Sequence, residues 1–150
     1  MLDHDCVLAE LRQGVGAYPL LADALELEWL QIANLEALDE LRCFVKWAGL
    51  IGSRERDLGE ASVLAAAELR AGIAITDDRD ATVVARHHGA KVHGTIWHLA
   101  QGCRNGKLTR IGAGSIVDAL RTTGARLPCT GREFPAYATE HGLMTPVDHG

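Results

Sequence analysis

Helical and strand-like segments alternate between residues 59 and 104, and this alternation constrains the fold more than any other feature. Three helices and two strands are predicted, in the order Glu60–Ala71 (helix), Ile73–Thr76 (strand), Ala81–His88 (helix), Lys91–His93 (strand) and about Ile96–Arg104 (helix). Connections of one to four residues between such segments are typical of parallel α/β winding. The sequence therefore predicts an α/β fold with a short parallel sheet.

Further predicted elements flank this alternation on both sides. Apolar residues at spacings of three and four predict the helices Cys6–Gln13, Pro19–Glu28, about Glu36–Ala48, Ser115–Thr123 and Glu133–His141. Trp29–Ala33 is predicted as a short strand, and Leu108–Ile111 is a further strand candidate. Because 150 residues suit one ordinary domain, a single domain over 1–150 is expected, with a helical extension over about 106–150.

Composition excludes several classes of protein. The chain is 47% apolar and 23% charged, which excludes a mainly disordered protein. No apolar run reaches the length of a membrane span, and the start of the sequence has no basic and apolar leader, so a cytoplasmic location is expected. The four cysteines show no CxxC spacing, which favours free thiols over disulfides or zinc.

Carboxylates cluster where the first predicted strand ends. Asp77, Asp78 and Asp80 directly follow Ile73–Thr76, and ligands of open parallel sheets bind beyond the carboxyl ends of strands. Oxygen ligands in such number suit Mg²⁺ or Mn²⁺ rather than zinc. The alternative is that one of these residues caps the following helix, and that Glu60 complements the dipole at a helix start.

The net charge of −5 is unevenly distributed along the chain. Between Arg104 and Arg132 lie six basic residues and one acidic residue, Asp118. Such a stretch is compatible with contacts to phosphates, and the alternative is an ordinary solvated surface.

Three stretches, Gly59–Ala67, Ala74–Asp80 and Ala85–Thr95, together resemble the PIN-domain family of metal-dependent nucleases, which includes the toxin halves of VapBC toxin–antitoxin modules. The helix that carries Glu10 resembles the acidic early helix of the family, and Trp29–Ile32 fits its second strand. The Gly94–Thr95 step and the C-terminal helices resemble most closely a PIN-like branch of predicted nucleic-acid-binding proteins.

The resemblance implies a three-layer α/β/α sandwich whose acids hold one or two ions of Mg²⁺ or Mn²⁺. It assigns catalysis to Glu10, Glu60 and Asp78, which are expected around one pocket, and extends the metal ligands to Asp77 and Asp80. The basic side chains expected at RNA are Arg79, Arg104, Lys107 and Arg110. RNA is the implied substrate, and an antitoxin protein and a second copy of the chain are candidate partners.

One departure from the family pattern qualifies these expectations. PIN domains open with a strand that ends in Asp, whereas only nine residues precede Glu10 here. The fold is therefore expected to be N-terminally truncated, with weak or no nuclease activity. The strand Ile73–Thr76 is expected to be central and buried, next to either an open edge or a partner chain.

Three functions follow from the sequence. The first is a metal-dependent, toxin-type ribonuclease, impaired by loss of the first acidic strand. The second is a non-catalytic PIN-like module that binds nucleic acid or protein. The third is a small phosphoacceptor domain, which would need a separate Asp at another strand end and a downstream Lys.

Overall fold

The computed structural model describes residues 6–52 and 54–146. The elements of these residues, in chain order, are α1 (Cys6–Gly14), α2 (Leu21–Leu25), α3 (Leu38–Ile51), α4 (Glu55–Leu69), β1 (Ala74–Ile75), α5 (Arg79–His87), β2 (Val92–His93), α6 (Thr95–Arg104), α7 (Arg110–Thr122) and α8 (Phe134–Glu140). The predicted alternation of helix and strand is confirmed, because α4, β1, α5, β2 and α6 follow one another. Among the helices described, none is long and apolar enough to cross a membrane.

The sheet consists of β1 and β2 in parallel. The Ala74 amide donates to the Lys91 carbonyl and the Thr76 amide to the His93 carbonyl, both at 2.9 Å. Ile73 and Ile75 alternate with these residues, so their backbone groups face the other edge of β1. Within residues 6–52 and 54–146 no strand pairs with that edge, and both isoleucines are exposed. The expectation of a central strand is therefore wrong for the described residues, and the open edge is observed. Burial is confirmed only for Ala74 and Thr76.

Two predicted strands are not found. Trp29–Ala33 forms neither helix nor strand, because a strand needs a paired neighbour and this segment has none among the described residues. Of the predicted strand Leu108–Ile111, Leu108 and Thr109 lead into a helix and the last two residues belong to it. The hydroxyl of Thr109 accepts a hydrogen bond from the Gly112 amide at 2.9 Å and caps α7, which therefore begins at Arg110 rather than at Ser115.

The boundaries of α3 and α4 also differ from the prediction. Helix α3 continues to Ile51 and ends at Gly52, whose φ of +130° lies in the region that favours glycine. Helix α4 begins at Glu55, five residues before Glu60. An ion pair of 2.9 Å between Arg54 and Asp57 links the residue before α4 to its first turn. Glu60 therefore lies inside a helix, and its predicted place at a helix start is wrong.

The chain folds into two compact units that are interleaved in sequence. The first comprises Met1–Ala74 and Asp78–Lys91, and the second comprises Ile75–Asp77 and Val92–Gly150. Because the chain passes between the units three times, within β1, before α5 and before β2, the units are not successive domains. The assignment of a single domain remains a prediction.

Helix packing forms the core of the first unit. Helix α3 packs along α4, with α1 against α4 and α5 against α3. Alanines on α4 and α5, among them Ala61, Ala65 and Ala85, are fully buried and permit close helix contacts. The indole of Trp47 is buried at the same core, and its Nε1 donates to Glu68 at 2.7 Å. The pairing of α3 with α4 therefore rests on small side chains and one hydrogen-bonded aromatic ring.

The second unit has its own hydrophobic core, built from α6, α7 and α8. Phe134 is fully buried at its centre, together with Leu99, Val117 and Ala138. Gly131 lies directly against the Gly114 carbonyl of α7, where no Cβ would fit. Its amide donates to Asp118 at 2.7 Å. An added Cβ on Gly114 would likewise lie 2.5 Å from the Gly131 carbonyl, so the close backbone approach explains both glycines.

Candidate active site

Asp78 is the N-cap of helix α5. Its carboxylate accepts a hydrogen bond from the Ala81 amide at 2.8 Å, and its carbonyl accepts one from the Thr82 hydroxyl at 2.7 Å. From the sequence, helix capping was the alternative role for this group of acids. The structure shows that Asp78 has this role. Asp80, in the first turn of the same helix, is exposed and complements its dipole.

Asp77 ties the end of β1 to the start of α6. One carboxylate oxygen accepts from the Thr95 amide at 2.8 Å and the other accepts from the Thr95 hydroxyl at 2.5 Å. A Cβ on Gly94 would lie 2.6 Å from the same carboxylate, so a larger residue there would displace the Asp77 side chain. The sequence interpretation missed this contact across 18 residues. The Gly94–Thr95 step was the only hint of it in the sequence.

Glu10 lies where α1 packs on α4. Its carboxylate approaches Gly59 so closely that an added Cβ would stand 2.9 Å from Oε1. Glu60, the next residue of α4, is partly buried. The buried hydroxyl of Ser62 donates to the Gly59 carbonyl at 2.7 Å and helps to fix this turn of α4. The structure thus brings the Glu10 carboxylate beside Gly59, the residue before Glu60.

The predicted acids are therefore brought together only in part. Glu10, Glu60, Asp78 and Asp80 all belong to the first unit, whereas Asp77 belongs to the second. Among the residues that the structure describes, no group of three or more His, Cys, Asp or Glu side chains is placed to hold a metal ion. The assignment of these acids to catalysis and metal binding remains a prediction.

Comparison with protein families decides which family the chain belongs to. The model of DUF3368, described as a PIN domain, matches residues 5–132. The chain is a PIN domain. No curated protein and no solved structure was found to match it. The resemblance inferred from the sequence is confirmed, and so is the small α/β fold.

Divalent cations are implied by this family, and the residues of this PIN domain fit them only in part. The donors are of the right kind, because carboxylate oxygens suit Mg²⁺ and Mn²⁺. Their arrangement is not sufficient in the described part of the chain, where Asp77 and Asp78 accept hydrogen bonds at helix starts and no three acids converge. The positions of these acids therefore do not support a reaction step that involves a bound metal ion.

The four basic residues predicted at RNA have different surroundings. Arg79, Arg104 and Lys107 are exposed, the last two around the turn between α6 and α7. Arg110 donates to the Thr145 carbonyl at 2.7 Å and thereby holds the segment after α8. The Arg121 guanidinium likewise donates to the Leu127 carbonyl at 2.9 Å. Part of the basic stretch therefore has a structural role.

A charged cluster on the first unit was not predicted from the sequence. The ammonium of Lys46 lies 2.5 Å from the carboxylate of Glu68 and 5.0 Å from the ring centre of Trp47. Hydrogen bonds from Lys46 and Trp47 hold the pKa of Glu68 below its usual value. These side chains, with His88 and Lys91, line a cavity of about 290 Å³. One sequence signal could have revealed the cluster. The adjacent basic and aromatic residues Lys46 and Trp47 lie on one helix, and the acid Glu68 lies on the next helix along the chain.

Three described thiols of the PIN domain are not activated. Burial raises the pKa of the Cys43, Cys103 and Cys129 thiols, so each is held in its protonated form near neutral pH. All three are free cysteines. The expectation of free thiols is confirmed for these three residues.

Proposed function

We propose that this PIN domain is a divalent-cation-dependent ribonuclease that cleaves single-stranded RNA slowly. The observation that carries the proposal is the close approach of the Glu10 carboxylate of α1 to Gly59, the residue before Glu60 on α4. Membership of the PIN-domain family supports nuclease or nucleic-acid-binding function in general.

The finer parts of the proposal come from the resemblance of the sequence. They are the toxin-type activity, the antitoxin partner, the cytoplasmic location and RNA as the substrate. The exposed Arg104 and Lys107 support contact with phosphates, because no ion pair neutralises either side chain within residues 6–52 and 54–146.

A non-catalytic PIN module that binds RNA is the second candidate. It is favoured by one observation, namely that Asp77 and Asp78 already serve as hydrogen-bond acceptors at the starts of α6 and α5. In this alternative the acids stabilise the fold, and RNA binding proceeds without a divalent cation.

Calorimetric titration with Mn²⁺, followed by an assay of single-stranded RNA cleavage, separates the two candidates. The ribonuclease proposal expects Mn²⁺ binding that is weakened about tenfold or more by Glu10→Gln or Glu60→Gln, because each removes a charged oxygen ligand. Asp39→Asn is the control, since Asp39 is an exposed acid of α3 outside the site.

Slow Mn²⁺-dependent cleavage that Glu10→Gln abolishes would support the ribonuclease. Equal RNA binding with Mn²⁺ and with chelator, without any cleavage, would favour the binding module. Equal loss of Mn²⁺ binding in Asp39→Asn and Glu10→Gln would refute the site at α1 and α4.

A further inference from the structure

The cavity beside Lys46 and Trp47 lies away from the acids of the candidate active site. Its volume is about 290 Å³, and every residue that lines it belongs to the first unit. It is bounded by α3, by the end of α4 and by the end of α5. The nine residues of α5 rise about 13 Å from the N-cap Asp78 to the C-cap His88, so the cavity and Asp78 lie at opposite ends of this helix.

One wall of the cavity is fixed by Glu68. Its carboxylate accepts hydrogen bonds from the Lys46 ammonium at 2.5 and 2.6 Å and from the Trp47 indole at 2.7 Å. The charges of Lys46 and Glu68 therefore cancel within the lining, and this pair alone gives the cavity no preference for an anion or a cation.

Two further bases line the cavity and change this balance. Lys91 is exposed and forms no ion pair within residues 6–52 and 54–146. The imidazole of His88 contacts the ring of Trp47 edge-on, with 6.2 Å between the ring centres, and forms no hydrogen bond to another described residue. The lining therefore carries a net positive charge, which favours an anionic ligand.

The alternative role of these bases is to complement the helix ends, where carbonyl groups lack partners within the helix. Backbone amides already fill that role here. The Gly72 amide donates to the Ala67 carbonyl of α4 at 2.8 Å, and the Ala90 amide donates to the Ala85 carbonyl of α5 at 2.9 Å. These carbonyls therefore do not require Lys91 or His88 as hydrogen-bond donors.

The backbone at the edge of the cavity adopts a strained conformation. Ala71 has a φ of +49° and is the one non-glycine residue of the described chain with a positive φ. Such conformations persist where the surrounding structure holds them, often at ligand sites. Ala67, Ala71 and Gly72 form a wall of small residues. The space left has room for roughly ten water volumes, which exceeds the size of a free phosphate ion.

We propose that this cavity binds a small phosphorylated molecule, with Lys91 and His88 at the phosphate and the organic part beside Ala67 and Ala71. A phosphate monoester carries a charge of about −1.5 to −2 near pH 7, which matches the net charge of the lining in sign. Lysine ammonium and imidazole groups both donate hydrogen bonds to phosphate oxygens. The inference does not depend on the ribonuclease proposal, because the cavity contains none of the residues assigned to catalysis, metal binding or RNA.

Calorimetric titration of the whole chain with glycerol phosphate, in the presence of chelator, tests the site. We expect a dissociation constant below about 1 mM, and binding at least tenfold weaker for glycerol and for inorganic phosphate. Lys91→Met should raise the dissociation constant roughly tenfold or more, because it removes the charge and keeps most of the apolar stem. The backbone carbonyl of Lys91, which pairs with Ala74, is unaffected by this change.

Arg126→Met is the matched control. Arg126 is an exposed base of the second unit and forms no ion pair within the described residues, so its loss changes the net charge by the same amount. Circular dichroism of both variants checks that the fold is intact.

Nuclear magnetic resonance of the wild type locates the bound molecule without any variant. The chain has three tryptophans, Trp29, Trp47 and Trp97, and each gives one indole N–H signal. Glycerol phosphate should shift the signal of Trp47, whose Nε1 donates to Glu68 at the wall of the cavity. The signals of Trp29 and Trp97, which do not line the cavity, should stay in place.

Absence of glycerol phosphate binding would overturn the proposal, and so would equally tight binding of glycerol or of inorganic phosphate. Equal weakening by Arg126→Met, or a shift of the Trp97 signal without one of Trp47, would place the ligand elsewhere and refute this site. A Lys91→Met variant that binds like the wild type but melts at a lower temperature would assign Lys91 to the helix ends and refute its role at the phosphate.

Discussion

Glu68 shows how one carboxylate connects stability to pH. Its oxygens accept hydrogen bonds from Lys46 at 2.5 and 2.6 Å and from Trp47 at 2.7 Å. These donors favour the charged form and lower its pKa from the ordinary value of 4.5 in the folded protein. In the unfolded chain the donors are lost, so the unfolded state binds a proton at a higher pH than the folded state does.

The free energy of unfolding should therefore depend on Glu68 in acid. The stabilisation is fully present above pH 4.5 and is lost as the pH falls through the lowered pKa of the folded state. Because the side chain is 44% exposed, the loss should stay below about 1 kcal/mol. Denaturant unfolding at a series of pH values measures this loss. Below pH 4.5 the free energy of unfolding of Glu68→Gln should fall less steeply than that of the wild type. Glu140→Gln, an exposed control, should keep the wild-type slope, and equal slopes for all three proteins would contradict the prediction.

Asp77→Asn should destabilise the fold, because an amide offers one acceptor oxygen where the carboxylate serves both the amide and the hydroxyl of Thr95. A loss of about 1 kcal/mol is expected, the usual size for a helix cap. Thermal unfolding measures it, with Glu140→Gln as the control, since Glu140 is an exposed acid at the end of α8 and complements no helix start. An unchanged melting temperature for Asp77→Asn would contradict a structural role for this carboxylate.

The acids of the site illustrate what a sequence can predict at the level of single residues. Asp78 could be placed at the end of a strand because the apolar run before it is short and unambiguous. The bond from Asp77 to Thr95 could not be predicted, because it joins residues 18 positions apart whose contact depends on how β1 and β2 pair.

At the scale of helices and strands, two glycines have opposite roles. Gly131 stands against the backbone of α7, where a methyl group would overlap the Gly114 carbonyl and the Asp118 carboxylate. Gly49 lies inside α3 with no atom within 4 Å of an added Cβ. The same substitution should therefore have opposite effects at the two positions.

Gly131→Ala should lower the free energy of unfolding by about 1–3 kcal/mol, because overpacking forces the backbone apart. Gly49→Ala should raise it by about 0.5–1 kcal/mol, because alanine loses less entropy than glycine in a helix. Chemical denaturation of the two variants measures both signs. A stabilised Gly131→Ala variant would mean that α7 and the 127–133 segment are not in close contact in solution.

The elements that local pattern determines were predicted best. Helices α5 and α6 and both strands of the sheet lie where the periodicity and the short connections place them. The segment 29–33 has a strand-like composition but remains irregular, because strand formation depends on a partner and not on composition alone. The early start of α4 was missed because polar residues such as Arg54 and Asp57 hide a helix start in an apparent loop.

At the scale of the whole molecule, charge separates the acidic N-terminal part from the basic stretch of residues 104–132. If Lys107 contacts an RNA phosphate, Lys107→Ala should reduce the slope of log affinity against log salt concentration by about 0.7, the value for one phosphate of a single strand. Fluorescence anisotropy with single-stranded RNA in the presence of chelator measures the slope. Arg42→Ala is the control, because Arg42 pairs with Asp39 on α3, and an identical fall in both variants would argue against a specific contact.

The interleaving of the two units has a consequence for synthesis on the ribosome. The first unit cannot close until Lys91 has emerged, because its second segment, Asp78–Lys91, supplies α5 and the carbonyl that pairs with Ala74. Ile75–Asp77, by contrast, must wait for α6, α7 and α8 to complete the second unit. At translation rates of about 5–20 residues per second, this leaves the middle of the nascent chain incompletely packed for several seconds. During that interval the apolar strand residue Ile75 is accessible to the chaperones that meet emerging chains.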